Sequence, residues 1–322
     1  MNPNRNRQNK TGFIPFYTLW ALGALAAAEV FLLANYRLAK DYFYLLAWWP
    51  YIVLADGLTY GRCGWSFIRN RASVFLTLLP WSVTFWLIFE LFNIRLGNWH
   101  YVELEPERLI RWPGYALAFA TVLPGIFITY CLCRSLKLFS DVRTSSFRIN
   151  GSLEILCMGT GVVFLLLPLL WPRYFFPLVW GGFALLLDPV NRRAGSPSLL
   201  KDLSTGRPGR IMLLLTAGMI CGFLWEFWNF WATAKWIYTV PFVGGIKLFE
   251  MPVLGFLGFP PFALECYVMY NFASCLGLAV PWERELRPVP VNRFMILAVF
   301  LNIPFWIFVF RLIDRHTVLS FR

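Results

Sequence analysis

Glu226 stands in the stretch "WEFWNFWATAKWIY" (225–238) among four tryptophans, two phenylalanines and one tyrosine. Asn229 follows three residues later, a spacing that puts both side chains on one face of a helix, where the amide is placed to orient a proton on the carboxyl. Surrounded by apolar groups, a carboxyl favours its neutral acid form and can then donate a proton at neutral pH. Such an acid can protonate an alkene, and the faces of Trp, Phe and Tyr can hold the resulting carbocation, each contact contributing up to about 2 kcal/mol when desolvated. A second carboxylate, or a polar neighbour that places water, then completes a cyclisation, an isomerisation or a hydration. Glu226 and Glu265 are the candidates for acid and base. Asn229, Trp225, Trp228, Trp236, Tyr238 and Glu250 are the candidates for the substrate site.

The same order of residues occurs once more. In "FELFNIRLGNWHY" (89–101), Glu90, Asn93, Trp99 and Tyr101 match Glu226, Asn229, Trp236 and Tyr238 with a one-residue gap. Past the gap the register persists, with Leu117 opposite Leu254, Phe119 opposite Phe256, Pro124 opposite Pro261 and Tyr130 opposite Tyr267. Upstream, Asp56, Arg62 and Gly64 fall opposite Asp188, Arg193 and Gly195. This ordered set reads as an internal tandem repeat. Ile128 stands opposite Glu265, so the extra acids belong to the second copy, and Glu90, Asn93, Trp99 and Tyr101 take a supporting role. Asp56 and Asp188 are expected to form loop-shaping ion pairs with Arg62 and Arg193. A plainer role for Glu265 is to accept hydrogen bonds from backbone freed near Pro260 and Pro261.

The elements that carry these residues must be membrane helices. The 322-residue chain is 58% hydrophobic, 14% charged and 19% aromatic, with a mean hydropathy of +0.58, a composition outside the range of soluble domains. Apolar runs long enough to cross roughly 30 Å of hydrocarbon lie at 13–35, 42–60, 74–94, 113–133, 153–171, 174–190, 211–233, 252–280 and 292–312. The expected fold class is all-α, a polytopic helical membrane protein of about nine transmembrane helices, with the eighth run open to a break at Pro260–Pro261. The organisation that follows is a basic N-terminus (1–12), a first repeat of about four helices (13–135), a linker (136–152), a second repeat of about four helices (153–280) and an added helix with a tail (281–322). An ionisable residue inside such a helix costs roughly 2.5 to 3.5 kcal/mol on insertion scales, so Glu226 should face protein or a cavity.

The net charge of +12 is a topology signal. Arg5, Arg7 and Lys10, then the segments after the second, fourth and sixth runs, gather the basic residues. By the positive-inside rule the N-terminus is cytoplasmic, and nine crossings put the C-terminus outside a prokaryotic cell membrane. A nucleic-acid partner is not expected. Two histidines, seven scattered cysteines without a C-x-x-C pair, and no phosphate- or dinucleotide-binding motif point to no metal and no cofactor.

The segments W-E-F-W-N (225–229), W-I-Y (236–238), Gly244–Gly245 and E-M-P (250–252), echoed in the first copy, resemble the small membrane-integral lycopene cyclases of carotenoid biosynthesis. The likeness covers roughly residues 210 to 270 and more faintly 74 to 130. It implies paired domains of a few helices each, an isoprenoid or carotenoid substrate, and acid-initiated cyclisation without haem or metal. That family carries an acid pair just after its proline, whereas Pro252 is followed here by Val253 and Leu254, and its usual helix Asp is a Glu. Two other readings fit the same residues. Intramembrane acids on parallel repeats suit a proton-coupled carrier, and acids that satisfy kinked backbone suit a membrane assembly or lipid-binding subunit without turnover.

Overall fold

The structure is a computed structural model that describes residues 13–283 and 290–321; the basic stretch 1–12 lies outside them. Helix α1 (Phe16–Leu33) and α3 (Phe43–Cys63) are joined through the short α2 (Arg37–Asp41). They pack antiparallel so closely that a Cβ added at Gly57 would collide with Thr18. After α3 the chain turns at Gly64, in the left-handed region with φ 64°, into α4 (Phe67–Asn70). The Asp56 carboxylate accepts the backbone N–H groups of Phe67 at 2.8 Å and Ile68 at 3.2 Å, so it caps this short helix. It also accepts the Tyr17 hydroxyl at 3.1 Å.

Helix α5 (Ala72–Leu96) leads to strand β1 (Trp99–Val102), then to α6 (Arg108–Phe119) and α7 (Val122–Ser135). The single run expected at 113–133 is thus two helices that meet at Ala120–Thr121. Ser82 on α5 serves the backbone at this break, donating to the Phe119 carbonyl at 2.5 Å and accepting the Leu123 N–H at 3.0 Å. Backbone freed inside a bilayer needs such a partner.

The second half opens with α8 (Gly151–Leu170), α9 (Pro172–Phe175), a 3-10 turn (Phe176–Leu178) and α10 (Val179–Arg193). At Gly161 an added Cβ would lie 2.5 Å from the Leu186 backbone, which fixes the close approach of α8 and α10. The turn at Gly195, φ 76°, leads to α11 (Leu199–Ser204), whose first N–H groups, Leu199 and Leu200, donate to Asp188 at 2.8 Å. The expected Asp–Arg ion pairs therefore give way to helix caps, because a loop N–H has no other acceptor while an arginine can reach elsewhere. Arg193 pairs with Glu154 at 2.8 Å, and Arg62 is exposed.

Helix α12 (Gly209–Trp231) precedes strand β2 (Lys235–Tyr238), the short β3 (Lys247–Leu248) and β4 (Met251–Pro252), a 3-10 segment (Val253–Gly258) and α13 (Phe259–Cys275). Pro260 and Pro261 occupy the first turn of α13. They open the helix rather than break it, since their missing N–H groups would have no helical partner there anyway. Gly218 and Gly222, four apart on α12, let α13 approach; an added Cβ at Gly218 would stand 2.6 Å from the Phe259 carbonyl oxygen, and one at Gly222 would strike the Phe259 ring. Helix α14 (Arg293–His316) packs against α5, its Trp306 donating to Thr84 at 2.8 Å.

Among the described residues, seven helical stretches are long and apolar enough to cross a membrane: Phe16–Leu33, Ala72–Leu96, Arg108–Ser135, Gly151–Leu170, Gly209–Trp231, Val253–Cys275 and Arg293–His316. The chain is an all-α integral membrane protein with two small antiparallel strand pairs, β1–β2 and β3–β4, that helical periodicity did not announce. Strands β1 and β2 pair antiparallel, Trp99 with Tyr238, His100 with Ile237, Tyr101 with Trp236 and Val102 with Lys235. Just past the end of α14, the Thr317 carbonyl accepts the Tyr101 N–H at 2.9 Å, and Val318 bridges to Tyr101.

Candidate functional site

Each strand is tied to the helix before it by an asparagine. Asn93 Nδ2 donates to the Trp99 carbonyl at 2.8 Å, and its Oδ1 accepts the N–H groups of Asn98 at 2.9 Å and Trp99 at 3.2 Å. Asn229 Nδ2 donates to the Trp236 carbonyl at 2.8 Å, and its Oδ1 accepts the Trp236 N–H at 2.9 Å. Both amides are buried. Asn229, expected to orient a proton on Glu226, instead fixes the strand that carries Trp236 and Tyr238.

The strands then aim their side chains back at the acids. Glu90 is 0% exposed, and its Oε1 accepts the Tyr101 hydroxyl at 2.5 Å, the Trp86 indole N–H at 2.9 Å and the Trp99 indole N–H at 3.0 Å. Glu226 is also 0% exposed; its Oε1 accepts the Tyr238 hydroxyl at 2.7 Å, and that hydroxyl accepts the Trp236 indole N–H at 2.8 Å. The difference in donors has a cause in packing. Trp86 lies four residues before Glu90, and Gly222 lies four before Glu226, where Phe259 fills the space a larger side chain would need. Burial first, then the adjacent carboxyl, pushes the Tyr101 and Tyr238 phenols well upward, so both remain protonated donors. Among the described residues Oε2 of each glutamate has no hydrogen-bond partner.

One cavity of about 980 Å³ runs along the strands, at the top of the usual range for ligand pockets. Trp86, Trp99 and Tyr101 line it from the first half of the chain, and Trp225, Trp236 and Tyr238 from the second. Phe119, Trp180 and Phe262 add further aromatic surface. Glu90 and Glu226 stand directly behind these rings, each reached through its tyrosine.

The remaining expected residues separate. Trp225 lines the cavity, whereas Trp228 packs on Trp48 and Tyr51 and donates to Glu29 at 3.2 Å. Glu250 holds Lys235 at 2.6 Å. Glu265 accepts the Phe183 N–H at 2.8 Å, a group freed by the non-helical Trp180 (φ −82°, ψ 35°) in α10. Its neighbour is thus the backbone of a kinked helix, as the plainer reading held, although the kink is in α10 and not at Pro260–Pro261. The acid that shares the aromatic wall with Glu226 is Glu90.

Two participants escaped sequence reasoning. Trp86 carried a legible signal, since a tryptophan four residues before an acid lies on its face of the helix. Asp314 carried none. It accepts both arms of the Arg111 guanidinium, Nε at 2.9 Å and Nη2 at 2.8 Å, together with Trp112 Nε1 and the Tyr115 hydroxyl at 3.0 Å each. It thereby holds α6, whose Arg111 and Tyr115 line the cavity. The geometry defines a class of site, an aromatic cavity within an integral membrane protein, backed by two buried acids. No protein family, curated protein or solved structure matches the chain.

Proposed function

We propose that the protein takes a long apolar lipid of isoprenoid type into this cavity and acts on it by acid catalysis. The observation that supports this most is the pair of phenol–carboxyl couples, Tyr238–Glu226 and Tyr101–Glu90, on the wall of one aromatic cavity. The Tyr238 hydroxyl, which donates to Glu226 Oε1 at rest, turns its proton to one carbon of an alkene as its oxygen takes the proton of the Glu226 acid. The cation left on the other carbon is attacked by a neighbouring double bond, and a C–H beside the new cation loses its proton to the Tyr101 oxygen as the Tyr101 hydroxyl passes its own to Glu90. The lipid gains one proton and loses one, so it is cyclised or isomerised without a co-reactant, and exchange with water returns Glu226 to its acid form and Glu90 to its carboxylate before the next turnover. The tryptophan faces stabilise the cation. The likeness to lycopene cyclases contributes the substrate class alone, since Val253 and Leu254 stand where that family has acids.

The same reading includes a tandem duplication and nine crossings, with α3 and α10 as the two beyond the seven. Matched interactions support it. Asn93 and Asn229 clamp equivalent strands, Asp56 and Asp188 cap equivalent short helices, and Tyr130 and Tyr267 both pack on Trp282. The reading also puts the basic loops and the N-terminus in the cytoplasm, by the positive-inside rule, and the C-terminus outside a prokaryotic cell membrane.

Gentle extraction from the native membrane, with mass spectrometry of copurifying lipids in wild type and Glu226→Gln, tests the function. A specific unsaturated lipid that accumulates unconverted in the variant supports it. Bulk phospholipid alone in both would overturn it.

A further inference from the structure

The cavity has two ends of opposite character. Strands β1 and β2 pair from Val102–Lys235 at one end to Trp99–Tyr238 at the other, roughly 10 Å of extended chain. Beyond the first end, Glu103 and Glu105 follow β1, while Arg37, Lys40 and Asp41 on α2 and Arg111 on α6 complete the rim. Two contacts hold these parts together, the Tyr42 hydroxyl on Glu105 at 3.5 Å and the Thr233 N–H on the Lys40 carbonyl at 3.0 Å. Lys235 belongs to this end as well. Among the described residues, all the charged side chains that line the cavity are here.

Past the second end Val240 and Val243 follow β2, and Trp180, whose ring meets that of Trp99 there, carries Phe176 and Pro177 just before it; Leu254 and Leu257 of the 3-10 segment line the cavity as well. Gly258 sits against the Trp180 ring, where an added Cβ would lie 3.4 Å away, so the 3-10 segment before α13 and the start of α10 form one apolar lip. Leu254 and Leu257 are 61% and 65% exposed, as side chains that face lipid can be.

Resting on the reading that the cavity takes a lipid, we infer that its ligand is a single-headed amphiphile. The polar head lies at the α2–α6 end, and the chain passes β1 and β2 and leaves over Leu254 and Leu257 into the bilayer. A hydrocarbon apolar at both ends would strip water from the charged rim and return no hydrogen bond, which is costly. Lys40, whose ammonium meets the neutral Asn35 amide oxygen at 3.1 Å, is the rim cation placed to donate to head-group oxygens.

The test uses the full chain in lipid nanodiscs and stearate carrying a photoreactive diazirine at its chain terminus, with labelled residues read by peptide mass spectrometry. Labelling within 176–180 and 253–258 is the expected result. Labelling confined to 35–45 and 103–118 would overturn the orientation while leaving a lipid-binding cavity intact. No labelling of cavity residues would overturn the inference together with the reading beneath it. Octadecane, equal in length and without a head, should compete about tenfold less well than unlabelled stearate, because it returns no hydrogen bond to the rim; equal competition would overturn the role of the head.

Discussion

His100 and Ile237 face each other near the centre of the pairing of β1 with β2, so that Trp99 stands opposite Tyr238 and Tyr101 opposite Trp236 across it. Each half of the chain sets its tryptophan opposite the other half's tyrosine in the register. This reciprocal register resembles the self-complementary patch of a symmetric dimer interface, made here within one chain. It brings both acids to one cavity, and neither half alone could build that wall.

The asparagine clamps should be structural. Asn93→Ala or Asn229→Ala removes both a donor and an acceptor from buried strand backbone, and each is expected to cost about 1–3 kcal/mol. Thermal unfolding in detergent would measure it. Aspartate at either position keeps the acceptor for the strand N–H groups and should recover part of the loss.

Glu265 separates a backbone role from a catalytic one. In Glu265→Gln the amide oxygen can still accept the Phe183 N–H, so folding and lipid conversion should both persist, whereas Glu265→Leu leaves that N–H buried without a partner and should lose about 1–3 kcal/mol. Loss of conversion in the glutamine variant at unchanged thermal stability would return Glu265 to the reaction.

Glu226→Gln and Glu90→Gln should each abolish conversion while the protein still inserts and binds lipid, because in the proposed reaction one supplies the proton and the other receives it. Lipid turnover measured beside a binding titration distinguishes this from loss of fold. Full activity in the Glu90 variant would remove it from the mechanism.

Close helix packing gives a contrast within one residue type. Gly218→Ala would press a methyl on the Phe259 carbonyl, backbone that cannot swing aside, and should cost about 1–3 kcal/mol. Gly23→Ala on α1 meets nothing within 4 Å and should be neutral or slightly stabilising by helix propensity. Parallel melting curves decide.

Asp314→Leu should strand the buried Arg111 and destabilise the protein by about 3 kcal/mol, and Arg111→Met added to it should restore much of that loss. A double-mutant cycle on unfolding temperature would show whether the two are coupled.

The membrane-helix class and the Glu–Asn–Trp–Tyr order were legible because hydrophobic run length and ordered spacing are local properties of the chain. The division of labour among the acids was not. Glu226 and Glu265 seemed partners because they share the second half, but which acid meets which cavity depends on the β1–β2 pairing, a contact across some 136 residues that no periodicity encodes. Asn229 misled for a related reason. Three residues from Glu226 it lies on the same helical face, yet the strand seven residues on offered two unsatisfied backbone groups, and the amide satisfied those. Asp56 and Asp188 were read beside arginines in sequence, while the helix starts they cap lie eleven and twelve residues further on.

The Arg111–Asp314 pair also imposes an order on biosynthesis. The two residues are 203 positions apart, so at 5–20 residues per second the arginine waits roughly 10 to 40 seconds for its carboxylate while the intervening helices are threaded into the bilayer. Through that interval the guanidinium has the Glu105 and Pro106 carbonyls, made just before it, but not its carboxylate, and water, lipid phosphate or the insertion machinery must take the place of Asp314. A chain that stalls before α14 therefore leaves the translocon with its first half inserted and its aromatic wall unbraced, an exposed intermediate for membrane proteases to find.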